Sequence, residues 1–158
     1  MLRRLSEEET REILASGRIG RLGCIADGSP YVVPVSYVLR DNRIYVHSPE
    51  GRKVEALRAN PRACLQVDNI RDEYQWRSAI AFGDYYEISD PDERDLALSE
   101  LLERFPHLTP VESVRSHSGA SSVVVFFIQI DHATGVGESL QGTLSPAKPA
   151  WPRPRASG

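Results

Sequence analysis

The chain has 158 residues, of which 41% are apolar and 26% charged, with a formal net charge of −3. That length holds one compact domain and little more. It contains no apolar run near the roughly 20 residues that a membrane-spanning helix needs, and its mild negative charge argues against general nucleic-acid binding.

The N-terminus, Met1-Leu2-Arg3-Arg4-Leu5, lacks the apolar stretch of a signal peptide, so a cytoplasmic protein with no membrane partner is expected. Ser6-Glu7-Glu8-Glu9 is a capping box, in which hydroxyl and carboxylate satisfy the first free amides of a helix. That helix runs to about Ala15 and stops at Gly17. Ile19 to Ile25 reads as a strand, and Asp27-Gly28-Ser29-Pro30 as a hairpin turn. Tyr31 to Leu39 is a second strand. Pro34 cannot donate to a ladder, so it marks an edge, a bulge, or backbone turned toward a ligand. After a turn at Arg40-Asp41-Asn42, the strand Arg43 to Ser48 is broken by Pro49-Glu50-Gly51. Helical spacing of Val54, Leu57 and Arg58 then carries from Arg52 to Asn60-Pro61.

Ala63 to Asp68 is a buried strand, and Asn69 to Gln75 a polar connection. Arg77 to Ser89 is a long strand with a bulge or bend at Gly83. Asp90 caps the next helix, with Pro91 at its first position and Glu93 reaching back. Leu96, Leu98, Leu101 and Leu102 give it an apolar face that ends near Phe105-Pro106. His107 to Ala120 is a polar loop, and Ser121 to Asp131 is a strand ended by Thr134-Gly135. Residues 1–140 form the domain, and the Pro-rich segment 141–158 is expected to be a disordered tail. Antiparallel strands joined by short helices point to a mainly β fold, a barrel rather than a parallel sheet.

Cys24 and Cys64 sit in apolar strands as reduced thiols, without the spacing of a zinc site. The chemistry concentrates at residues 46–60. A strand ends in His47-Ser48, Gly51 follows, and a helix begins at Arg52-Lys53. Helix-start amides, a hydroxyl and two cations make an anion site by electrostatics alone. Arg52 would supply a bidentate fork, Lys53 a point charge, and Gly51 close backbone approach. A solvated Arg-Lys pair at a helix start would read the same way.

His47-Ser48-Pro49-Glu50-Gly51-Arg52-Lys53-Val54-Glu55-Ala56-Leu57 resembles the phosphate-binding segment of the pyridoxamine 5′-phosphate oxidase-like split-barrel flavoproteins. The resemblance is nearest to the branch with the nitroimidazole-resistance proteins. Three further stretches match in order and spacing: Gly28 to Tyr37, Arg62 to Val67 and Ser78 to Ile88. The resemblance implies an FMN-binding split β-barrel, a homodimer with the flavin at its interface, and a small-molecule substrate. It implies that Lys53 and Arg52 hold the phosphate, with His47 and Ser48 on the phosphate or ribityl chain. Val35, Ser36 and Tyr37 would lie along the isoalloxazine edge, mainly through backbone groups. Ser78 would sit near the flavin, and Trp76 would stack on it or wall it off from the neighbouring subunit. The family's true oxidases grip pyridoxal phosphate with a C-terminal Arg and His segment, which nothing after Leu140 matches.

The expected function is therefore an FMN-dependent oxidoreductase acting on a small molecule such as a nitro-aromatic. The alternatives are a flavin store or sensor without turnover, or the same fold carrying F420 or haem. His47 is the one candidate haem or metal ligand, and no second ligand accompanies it. His117 reads as an exposed loop residue, and His107 and His132 have no functional case. No catalytic acid, base or Ser-His-Asp triad stands out.

Overall fold

A computed structural model describes residues 1–106 and 123–140. Its elements are β1 (Leu2–Arg4), α1 (Glu7–Ser16), β2 (Ile19–Ala26), β3 (Ser29–Ser36), β4 (Val38–Arg40), β5 (Arg43–Pro49), α2 (Arg52–Ala59), β6 (Arg62–Asp72), β7 (Gln75–Glu87), α3 (Pro91–Arg104) and β8 (Val123–Glu138). The strands form one antiparallel sheet in the order β3-β2-β6-β7-β8-β5-β4, with β1 added to β8. The sheet curls until β3 approaches β5, but no ladder joins the two among the described residues. The fold is therefore mainly β with short helices, in a barrel left open along one seam.

The local signals in the sequence explain most of these elements. Ser6 and Glu9 form the reciprocal capping box on α1. The β2–β3 hairpin turns through Asp27 and Gly28, whose φ values of 52° and 76° suit a two-residue primed turn. β3 is an edge strand, which is how Pro34 is accommodated. Asp90 caps α3 by accepting from the Glu93 amide at 2.9 Å.

Leu22, Tyr37, Ile44, Val46, Leu57, Leu65, Phe126 and Ile128 fill the barrel interior. A second cluster joins Ala97 and Leu98 of α3 to Val123, Val125 and Phe127 of β8. Elsewhere on the outer face of the sheet, Ile19, Val32, Ile70 and Val136 stand exposed along with other apolar residues.

Several boundaries differ from expectation. The second strand divides at Tyr37, whose side chain turns fully into the core. β6 runs on to Asp72, so the polar connection shrinks to Glu73-Tyr74. β8 continues past Thr134-Gly135 to Glu138, because Gly135 pairs with Ala79. A Cβ on Gly135 would lie 2.6 Å from Thr10 Oγ1, so its lack of a side chain serves packing under α1 and does not end the strand. On α3, Leu96 is exposed and Ala97 is buried in its place. The Glu93 carboxylate faces Arg43 at 3.8 Å. His107, His117, Ser121 and the segment 141–158 lie outside the described residues.

The bulge expected at Gly83 falls where two long strands must stay paired while bending. Phe82 pairs with His132 and Gly83 with Ile130, which leaves Asp131 as the extra residue on β8. A Cβ on Gly83 would lie 1.9 Å from the Gln129 carbonyl oxygen. Arg62 holds the extruded Asp131 and also reaches Asp84 at 3.5 Å.

Candidate functional site

The junction between β5 and α2 holds the candidate anion site. Gly51 is the N-cap of α2, and no side chain caps that helix. The first free amides of a helix otherwise need a side-chain, solvent or ligand partner. Glu55 N–H bonds back to Gly51 C=O at 3.0 Å, so the first turn is well formed. Gly51 has an extended backbone, φ 172°, and a Cβ there would meet nothing within 4 Å.

Lys53 is half-buried in the first turn of α2. Burial pushes its ammonium below the usual lysine range. No carboxylate lies within ion-pair distance of it among the described residues. Arg52 is exposed, and its guanidinium lies over the Tyr31 ring, 5.1 Å from the centroid. Tyr31 lies in the Gly28–Tyr37 stretch that resembles the family, but the resemblance assigns it no role at the site.

Glu50, the acidic residue just before Gly51, is drawn elsewhere, while Glu55 in the first turn of α2 is exposed. Arg58, at the far end of α2, forks Glu50 with two bonds of 2.9 Å. The same guanidinium binds Glu87 of β7 at 2.8 and 2.7 Å. Glu87 also accepts from the Tyr85 hydroxyl at 2.9 Å. The two carboxylates raise the Arg58 guanidinium above its ordinary range, and Arg58 in turn lowers Glu87. This network pins the 49–51 loop to β7 and keeps Glu50 from discharging the helix start. No local signal predicts it, because Glu87 lies 29 residues from Arg58.

The remaining expected site residues are placed unequally. His47 and Ser48 follow one another in β5, so their side chains leave opposite faces of the sheet. Ser48 is buried beside the barrel interior, and its hydroxyl donates to its neighbour's carbonyl, Pro49 O, at 2.8 Å. His47 is half-buried on the face that carries Tyr45.

On β3, Val35 is buried and Ser36 half-exposed. As an edge strand, β3 presents backbone N–H and C=O groups that no neighbouring strand takes up among the described residues. Tyr37 lies in the core, where its hydroxyl donates to Leu14 C=O at 2.5 Å and its amide to Arg18 C=O at 3.3 Å. Burial raises that phenol above its usual range.

Trp76 and Ser78 are not beside the 47–53 junction in one chain. They pair with Glu138 and Val136 of β8, whereas His47 and Ser48 pair with Val125 and Val124 at the other end of that strand. Ser78 Oγ accepts from Gln66 Nε2 at 2.8 Å, in a polar row that continues to Asp68 and Arg21. No group of three metal-binding side chains occurs among the described residues, and no helix there is long and apolar enough to cross a membrane.

The family model described as pyridoxamine 5′-phosphate oxidase matches residues 6–136. An uncharacterized protein from Rhizobium meliloti (strain 1021) is 35% identical over 144 residues, covering 85% of this chain and 93% of that protein. An FAD-binding protein from Mesorhizobium loti superposes with a TM-score of 0.74 at 35% identity, covering 88% of this chain and 99% of that one. A candidate 5-nitroimidazole antibiotic resistance protein from Bacteroides thetaiotaomicron has the same fold, with a TM-score of 0.66 at 20% identity over 87% of each chain.

Proposed function

The chain belongs to the pyridoxamine 5′-phosphate oxidase-like family of split β-barrels, and from that premise we propose that it is an FMN-dependent oxidoreductase acting on a small molecule. The observation that carries this reading is Lys53. A half-buried ammonium with no carboxylate partner among the described residues is costly unless an anion completes it. It stands at an uncapped helix start behind a glycine with open space before it, which is the donor set a phosphate needs. Flavin binding by the relative from Mesorhizobium loti supports the cofactor class.

In this reading Lys53, Arg52 and the first amides of α2 bind the phosphate. Gly51 admits it, and Arg58 positions the loop without touching it. The edge of β3 at Val35 and Ser36 supplies backbone partners for the ring. Tyr37 acts from the core, holding the β3–β4 corner against α1. Ser48 contributes through its backbone, because its hydroxyl proton is already given to Pro49. A bound flavin would supply hydride or electron transfer, so the chain needs to position, desolvate and donate hydrogen bonds.

The site is completed in this reading by a second copy of the chain. Val32, Ile70 and Val136 are exposed on the sheet face that also carries Trp76 and Ser78. Two copies packed on that face would cover this apolar surface and bring the Trp76 end of one to the 47–53 end of the other.

The absorption spectrum of the purified full-length protein tests the cofactor directly. A yellow protein that releases flavin on denaturation is expected. A colourless protein with no affinity for added FMN would sink the proposal. Oxidation of NADH or NADPH in the presence of a nitro-aromatic separates turnover from storage, and light scattering tests the dimer.

A further inference from the structure

Ser78 sits on the outer face of the sheet, between Trp76 and Ile80 along β7 and opposite Val136 of β8. On its other side, β6 presents Gln66, Asp68 and Ile70 to the same face. A row of four polar side chains crosses this face. Arg21 of β2 donates to Asp68 Oδ2 at 3.3 Å, and Gln66 Nε2 donates to the same oxygen at 3.1 Å. Gln66 Nε2 also donates to Ser78 Oγ at 2.8 Å.

The chemistry of the row fixes the direction of each bond. A carboxylate only accepts, so the Gln66 atom that faces Asp68 is the NH2 group. Both hydrogens of that group are then committed, one to Asp68 and one to Ser78. Ser78 Oγ is therefore an acceptor within the chain, and its own proton has no acceptor among the described residues. Two copies packed on this face, as proposed above, would take that hydroxyl out of water. A buried donor without an acceptor is costly, so the acceptor has to come from across the interface. The carbonyl oxygens of a flavin ring accept and cannot donate. A ribityl hydroxyl serves either way and needs no committed donor.

We propose that Gln66, held by Asp68, is a positioning residue that commits the Ser78 hydroxyl to donate to the isoalloxazine ring of the flavin bound at the second copy's 47–53 junction. This role presupposes the flavin-bound dimer proposed above.

FMN affinity is measured by fluorescence titration of the full-length protein, with light scattering for the dimer and urea unfolding for the fold. Ser78→Ala should weaken FMN about tenfold, the size of one lost hydrogen bond. Gln66→Glu puts a carboxylate where the NH2 group was. That carboxylate has no proton to give and turns the Ser78 hydroxyl inward, so FMN should weaken about tenfold here too. The visible absorption band of bound FMN should shift alike in the two variants. With Ser78→Ala already in place, Gln66→Glu should add nothing, because no hydroxyl is left to turn. If Gln66→Glu lowers the unfolding midpoint, Asp68→Asn carries the same comparison. An Asn at that position donates as well as accepts, which lets the Gln66 carbonyl swing to Ser78. Its smaller loss should likewise vanish in the Ser78→Ala background.

Additive losses in the double variant overturn the proposal, since Gln66 would then act on the fold or charge of the face and not through Ser78. So does a Ser78→Ala protein that binds FMN as wild type does, whether or not its dimer weakens. If Lys53→Ala weakens FMN and Ser78→Ala does not, the flavin reading stands and only the role of Gln66 falls. A wild-type protein with no affinity for FMN sinks the flavin reading itself, and this role with it.

Discussion

Gly83 and Gly51 stand at two of the places where this chain breaks its regular pattern, and they are glycines for different reasons. Gly83 faces its own chain, since a side chain there would run into the Gln129 carbonyl. Gly51 faces open space, and its extended backbone could carry any residue. The same contrast runs through the charges around them. Arg62 and Asp131 close on each other at the bulge, while Lys53 beside Gly51 has no carboxylate to close on among the described residues. The bulge is complete within one chain. In the proposed reading, the junction is completed by a ligand from outside it.

That contrast fixes the order of expected effects. Gly83→Ala should be the most damaging substitution, because the obstructing atom is backbone and cannot swing aside. A loss of roughly 3 kcal/mol or more is expected in urea unfolding. A change below about 1 kcal/mol would mean that the β7–β8 bulge shifts freely, and its assigned rigidity would be wrong.

Lys53→Ala should leave the unfolding midpoint near wild type and weaken FMN by about tenfold or more, measured by fluorescence titration. The pH dependence carries the sign. Burial lowers the Lys53 pKa, so the buried charge opposes folding at neutral pH, and that cost is relieved as pH rises through the lowered value. Phosphate binding needs the charged form, so FMN affinity should fall over the same rise. Affinity and Lys53's contribution to stability should therefore move in opposite directions with alkaline pH. Parallel movement would detach Lys53 from the phosphate. Arg58→Ala should weaken FMN less than Lys53→Ala does, by releasing Glu50 toward the helix start. Arg58→Ala combined with Glu50→Gln should restore part of the loss, which a purely structural role for Arg58 would not predict.

How far these features were legible follows from the range of the interactions behind them. The capping box, the primed hairpin turn, the Pro34 edge and the Gly83 bulge are written in neighbouring residues, and each appears where its residues stand. The β5–α2 junction was legible too, because strand end, glycine and helix start are contiguous. The extension of β6 through Asn69–Asp72 was not, since exposed polar residues hide a ladder made by backbone. The passage of β8 through Gly135 is hidden in the sequence, because a glycine looks alike whether it terminates a strand or lies under α1. Tyr37 read as a strand residue facing a ligand. Its hydroxyl partner, Leu14, is 23 residues away, and only the folded chain shows that bond. The Arg58 network was hidden for the same reason.

The smallest effect on stability should come from Gly51→Ala, and it is the most direct probe of why that residue is a glycine. No positive φ is relieved or offended, and a new Cβ meets nothing within 4 Å. Loss of glycine's unfolded-state freedom should stabilise the fold by about 0.4–1 kcal/mol. If the open space before Gly51 is where a phosphate sits, that same methyl occupies the approach, and FMN affinity should drop while the unfolding midpoint holds or rises. A variant equally tight for FMN would show that the phosphate approaches the helix start from elsewhere, along Arg52 and Tyr31. Lys53 would then still be the cation, but the 47–51 loop would be a wall of the site instead of its floor.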